Sequence, residues 1–144
     1  MSLKLTSHSI SPAKVIRGNK AWNKGKNIIS TLCQKPILIG RSKATLNIRN
    51  LLREDLHNIG LKCISTELNH DCCELDLSRI AEILASNSCD AVIAAGGGKV
   101  LDSGKLLANR LSIPCITIPT SASTCAGWTA LSNIYSPEGA FIKD

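Results

Sequence analysis

The chain has 144 residues, 44% of them hydrophobic, which is enough for one domain with a real core; aromatics are only 3%, so that core has to come from Ile, Leu, Val and Ala. The net charge of +6 is uneven: residues 1–53 hold 11 Lys and Arg and no acid (+11), and the remainder holds 6 basic and 11 acidic residues (−5), which sum to +6. Without aromatics interleaved among the basic residues, a base-stacking nucleic-acid surface is disfavoured and the basic segment reads as solvated helix faces. Seven cysteines, an odd number with no CxxC, do not make a disulfide framework and suit a reducing cytoplasm. No apolar run is long enough for a signal peptide or a bilayer span. A soluble cytoplasmic protein is expected, with neither nucleic acid nor membrane as partner.

Elements follow in an alternating order. Lys14–Arg17 is read as a short strand and Asn19–Leu32 as a helix interrupted at Gly25. Pro36–Gly40, PILIG, is the first well-marked strand. Ser42 then caps a helix whose apolar stripe is Ile48, Leu51, Leu52, Leu56 and Ile59, with Arg49, Arg53 and Glu54 toward water and Gly60 as its stop. Leu61–Ser65 is a second strand, less hydrophobic and so nearer a sheet edge, and Asp76 caps a helix marked by Leu77, Ile80, Ala81 and Leu84.

Asp90–Ala95, DAVIAA, forms a third strand and runs at once into three glycines and a helix with Leu101, Gly104, Leu107, Ala108 and Leu111 on its buried face. Pro114–Ile118 is a fourth strand. Apolar strands separated by helices imply an α/β fold with a parallel, Rossmann-like sheet covered on both faces. With no repeat, low-complexity stretch or linker, residues 1–144 read as a single domain. His70, Asp71, Cys72 and Cys73 are ligand types, but four consecutive side chains do not converge on one tetrahedral ion, so that stretch reads as a loop or helix start.

In a parallel sheet a ligand sits beyond the carboxyl ends of the strands, which directs attention to two loops. Gly96, Gly97, Gly98 and Lys99 join a buried strand directly to a helix: glycine lets a ligand approach the backbone closely, and the helix start offers unpaired amides and a positive dipole end to phosphate. Lys99 adds a formal charge. Asp102 and Lys105 share a helix face with Lys99, so Asp102 is expected to hydrogen-bond a ribose or nicotinamide group or to orient Lys99; a solvated ion pair is the bland alternative. The second loop, Pro119–Thr124 (PTSAST), supplies four hydroxyls, which donate hydrogen bonds without adding charge.

These blocks, GGGKVLDSGK at Gly96–Lys105, IPTSASTCA at Ile118–Ala126 and ALSNIYSPEGAF at Ala130–Phe141, resemble in order and spacing the glycerol dehydrogenase branch of the iron-containing alcohol dehydrogenase and dehydroquinate synthase-like superfamily. The resemblance implies that Gly96, Gly97, Gly98, Lys99, Asp102, Thr120 and Ser123 contact NAD or NADP, and that Thr129, Leu131 and Tyr135 are further nicotinamide-side contacts, although Thr129 stands where serine is common. It implies reversible hydride transfer between a polyol, or another secondary alcohol, and the nicotinamide, in a protein that is a homo-oligomer at full length.

Three features depart from that family. Its divalent metal, zinc or iron, is held by an Asp and two His of a C-terminal helical domain, whereas His8, His57 and His70 here all precede the cofactor motif. The chain is therefore expected to be the N-terminal NAD(P)-binding half, truncated and holding no metal site, with a non-catalytic dinucleotide-binding module as the alternative. Cys125 replaces an aspartate that contacts the polyol, so it is the candidate substrate-binding residue and the substrate could instead be another alcohol or a carbonyl compound; Gly127 and Trp128 also differ from the usual residues. Arg41, with Ser42 and Lys43, stands where an acid commonly receives the adenosine ribose, and is suited to a 2′-phosphate; a solvated Arg41 beside a helix-capping Ser42 is the competing reading.

Overall fold

A computed structural model describes residues 12–144; His8 and the expectation for residues 1–11 lie outside the described residues. The elements are α1 (Ala21–Leu32), β1 (Pro36–Gly40), a 3-10 turn (Lys43–Thr45), α2 (Leu46–Asn58), β2 (Ile64–Glu67), α3 (Glu74–Ser86), β3 (Ala91–Gly96), α4 (Gly98–Leu111), β4 (Cys115–Pro119), β5 (Ile134–Tyr135) and β6 (Phe141–Lys143). The first four strands form one parallel sheet in the order β2-β1-β3-β4, and β5 and β6 pair as a small antiparallel hairpin. The expected α/β, Rossmann-like architecture is the one found.

The sheet separates two apolar layers because alternate strand residues point to opposite faces. Ile37, Ile39, Val92 and Ala94 pack with Leu77, Ile80 and Leu84 of α3 and with Leu101 and Leu107 of α4. Leu38, Ala91, Ile93 and Ala95 face the other way, onto Ile29 of α1 and Leu52 and Leu56 of α2. Each fully covered Ile or Leu contributes roughly 1.5–3 kcal/mol, which explains why the two central strands, β1 and β3, carry the longest uninterrupted apolar runs. Gly104 sets how closely α4 lies on the sheet: a Cβ there would stand 2.5 Å from that of Ala94.

Several local expectations are corrected. Lys14–Arg17 forms no strand, α1 runs through Gly25 without interruption, and β2 lies three residues later than Leu61 at its start. β3 begins one residue after Asp90, and β4 spans Cys115–Pro119. Arg49 is not turned to water. It lies three and seven residues before Leu52 and Leu56, so helical geometry puts it on the buried stripe, at 4% exposure, while Ile48 and Leu51 face solvent.

Its guanidinium is satisfied there by the Ser42 carbonyl (2.9 Å), the Thr45 hydroxyl and the Glu67 carboxylate (2.6 Å). It lies so close over Gly40 that a Cβ at that position would meet it at 2.2 Å. Leu111 is exposed rather than buried. The sheet is also not covered equally throughout. β2 forms one edge, as its composition implied, but β4 forms the other with only partial cover over an apolar strand.

Asp76 lies in the first turn of α3 rather than capping it; Cys73 occupies the cap position. Its carboxylate nevertheless organises the preceding turn, accepting from the Asn69 (2.8 Å) and His70 (2.7 Å) amides with one oxygen and from Arg79 (2.8 Å) with the other. Burial pushes this carboxyl up, but Arg79 and the amides outweigh it and hold it below the ordinary carboxylate value.

Candidate functional site

The chain runs from β1 to β2 on one side and then returns past β1 to β3 and β4 on the other, so the order reverses between the adjacent strands β1 and β3. A crevice opens beyond the carboxyl ends at such a reversal. Here it is a cleft of ≈ 630 Å³, a size that suits a small organic ligand. Three segments line it: Arg41, Ser42 and Thr45 after β1; Gly96 to Val100 after β3; and Thr120, Ser123 and Thr124 after β4.

The glycine segment is a strand-to-helix turn with no side chain in it. Gly97 caps α4 in extended conformation, and its carbonyl accepts from the Val100 (3.0 Å) and Leu101 (3.1 Å) amides. The Gly98 and Lys99 amides precede the first amide that donates within the helix and are free to meet an anion at its positive end. A Cβ on Gly97 would touch nothing within 4 Å, so the absence of a side chain there leaves room in the cleft rather than relieving a packing clash. Gly96 and Gly98 differ: a Cβ would strike Val100 in one case and the Thr124 hydroxyl, at 2.8 Å, in the other.

The hydroxyl loop is joined to this turn. The Thr120 amide donates to the Gly96 carbonyl (3.0 Å), extending the register in which Gly96 faces Pro119. The Ser121 and Ser123 hydroxyls bond one another at 2.7 Å, and Thr124 accepts from the Ala126 amide at 3.0 Å. The two loops that the sequence marked independently therefore form neighbouring walls of one cleft, with Arg41 on the facing wall.

The other marked residues lie elsewhere. Asp102 is buried in α4 and pairs with Lys105 (3.0 Å), also accepting from the Asn133 amide (3.2 Å); it does not orient Lys99. Lys105 in turn donates to the carbonyls of Thr129 (3.0 Å) and Leu131, which fixes the segment entering the β5–β6 hairpin. Thr129 lines a different groove along β4, and the Leu131 side chain is exposed. Tyr135 is close to the cleft, its ring 4.8 Å from the Lys99 ammonium. Cys125 is exposed just beyond the hydroxyl loop and does not line the cleft.

Asp71 has a part in this site that its residue type alone did not disclose. It bonds both Arg41 and Lys99, one carboxylate oxygen to each, from the turn between β2 and α3. Burial raises the Asp71 carboxyl, but the bonds from Lys99 and Arg41 prevail and hold it below the ordinary carboxylate value. The available clue was positional: Asp71 follows the carboxyl end of a strand, on the same side of the sheet as the glycine turn.

The described residues do not build the family's metal centre at the cleft. His57 bonds the Cys63 carbonyl (2.7 Å), and His70 gathers with Cys73 and Asp76, their ligand-type atoms within 4.8 Å of one another. That trio takes His70 and Cys73 from the stretch His70–Cys73 and adds Asp76 from the first turn of α3. Asp76 already serves Arg79 and two amides. None of the three lines the cleft.

Comparison with known proteins agrees with this geometry. Residues 12–143 match the family model for iron-containing alcohol dehydrogenase. An uncharacterised oxidoreductase of Synechocystis is 36% identical over 140 residues, covering 97% of this chain and 36% of that protein. Glycerol dehydrogenase of Escherichia coli is 30% identical over 133 residues, covering 92% and 36%. The crystal structure of glycerol dehydrogenase from Schizosaccharomyces pombe superposes with a TM-score of 0.75 at 25% identity, covering 88% of this chain and 32% of that one. The chain thus spans about a third of the relatives it matches. With the match extending over nearly all of its described residues, the chain belongs to the iron-containing alcohol dehydrogenase family.

Proposed function

We propose that this chain is the dinucleotide-binding part of an oxidoreductase of the glycerol dehydrogenase type, acting on a polyol or another secondary alcohol, or on the corresponding carbonyl compound. The observation that carries this reading is the shared cleft in which the open helix start at Gly97–Lys99 adjoins the hydroxyl loop at Thr120–Thr124. When bound, NAD or NADP supplies the hydride acceptor or donor.

The residues of the cleft fit such a group by type and by space. The Gly98 and Lys99 amides and the Lys99 ammonium would receive diphosphate, the hydroxyls of Thr120 and Ser123 would complete the polar lining, and Arg41 with Ser42 would meet the adenosine end. Tyr135, in β5, sets its ring beside the Lys99 ammonium. Among the described residues no His, Cys, Asp or Glu lines this cleft, so the family's divalent metal has no ligand set there. The full-length protein is read as a homo-oligomer.

No helix among the described residues is long and apolar enough to cross a membrane. Seven unpaired cysteines favour a cytoplasmic setting. Cys125 would face the substrate; alkylation of its thiol that slows when dinucleotide is present supports this, and indifference to dinucleotide counts against it.

Titration of the chain with NADH and with NADPH tests the reading. Saturable binding of both is expected, with NADPH bound at least as well as NADH because Arg41 stands at the adenosine end. A strong preference for NADH refutes the role of Arg41, and no binding of either refutes the function.

A further inference from the structure

The cleft has two cationic side chains on its walls, Arg41 after β1 and Lys99 in α4, and both are bonded to the same carboxylate, that of Asp71. The backbone on either side of Asp71 is held in place by bonds to other elements. The Asn69 and His70 amides just before it are tied to buried Asp76, and the Cys72 carbonyl just after it accepts from the Tyr135 amide at 2.7 Å. Asp71 itself is only 14% exposed at its side chain, whereas its two partners are 41% and 46% exposed. The anion is the more buried member of the trio, and the two cations are the more exposed ones.

This arrangement bears on which dinucleotide the cleft accepts. A diphosphate can be received by backbone amides at the start of α4, which no side chain of the trio occupies. A phosphate monoester on the adenosine ribose is met instead by the segment after β1, where Arg41 is the cation that lines the cleft. To meet that phosphate, Arg41 has to leave Asp71, and the ligand's added charge of nearly two then lies near a carboxylate that has lost one of its two cationic partners, in a partly desolvated cleft. Loss of the Arg41 bond weighs on the ligand with the extra phosphate alone, whereas the Lys99 bond to Asp71 meets the diphosphate of either ligand equally.

Resting on the proposed dinucleotide reading of this cleft, we propose that Asp71 is a specificity-determining residue: an internal anion that holds Arg41 and Lys99 and, by competing with the ribose 2′-phosphate for Arg41, restrains the preference for NADP(H). The carboxylate acts through the two cations rather than by touching the ligand. Its removal therefore changes the ratio of affinities more than it changes binding in general.

The test compares dissociation constants for NADH and NADPH in the native chain, in Asp71→Asn and in Asp71→Ser, with folding of each confirmed by its thermal transition. Both variants are expected to bind NADPH about tenfold more tightly than the native chain, a change of about 1.4 kcal/mol, and NADH less than about threefold more tightly. The double variant Arg41→Ala/Asp71→Asn is expected to lose most of the gain. A ratio that stays unchanged, or that moves toward NADH, overturns the proposal. If NADH binds the native chain and only the ratio fails to move, the assignment of Asp71 falls while the dinucleotide reading stands; if neither ligand binds any of the proteins, both fall.

Discussion

Asp71, in the connection between β2 and α3, and Asp76, in the first turn of α3, lie five residues apart and each engages an arginine, yet the two carboxylates do different things. Asp76 is 1% exposed and bonds groups of its own neighbourhood: two amides of the turn and an arginine one helical turn away. Its contacts are local and set the shape of the chain. Asp71 reaches residues 30 positions before it and 28 after it, both on the walls of the cleft. Sequence-local bonds to a buried carboxylate build structure; long-range bonds at a ligand-sized opening regulate what the opening can hold.

The largest expected difference concerns stability. Asp76→Ala leaves two amides without their acceptor and Arg79 without its counter-ion, and should lower the unfolding free energy by about 3 kcal/mol. Asp71→Ala breaks a pair whose cationic members are half in water and should cost under about 1 kcal/mol. Urea denaturation of the two variants measures both. Equal losses would erase the contrast between them.

Next in size is Gly97→Ala. Because a Cβ at this position meets no protein atom, its thermal transition should match that of the native chain. The added methyl group instead takes up room beside the free amides, and dinucleotide affinity should fall on the order of tenfold, about 1.4 kcal/mol. Retained affinity in a stably folded variant would place the ligand elsewhere than the glycine turn.

The smallest expected effect is the acid limb of stability. The carboxyl of Asp76 lies lower in the folded than in the unfolded chain, whose ordinary value is 3.8. Its contribution is therefore complete above that value and is lost as pH falls through the lower folded one. Asp76→Asn should flatten the decline of stability below about pH 4, which urea midpoints measured from pH 5 downward can follow. A decline as steep as that of the native chain would show that other carboxyls carry it.

What could be read from sequence follows the same division between local and distant. PILIG marked β1 with its observed ends, the switch from apolar strand to triple glycine marked the β3–α4 turn, and the hydroxyl run marked the turn after β4, because each depends on neighbours within a few residues. Their convergence on one cleft followed from the rule for parallel sheets. Arg49 was misread because charge suggested water, whereas helical phase and the waiting Glu67 carboxylate buried it. Leu131 and Thr129 matched a motif, but their placement depends on Lys105 reaching across to their carbonyls. The Asp71 bonds to Arg41 and Lys99 were not legible at all, since no local pattern says which of several charged residues a fold brings together.

Amide chemical shifts of the 15.4 kDa chain, followed during titration with NADH, test the central claim most directly. Perturbations concentrated at Gly97, Gly98 and Lys99 and at Thr120 to Thr124, saturating together, are expected. Saturable shifts confined to the groove along β4 that Thr129 lines, or no shifts at any concentration, would contradict the assignment of the cleft.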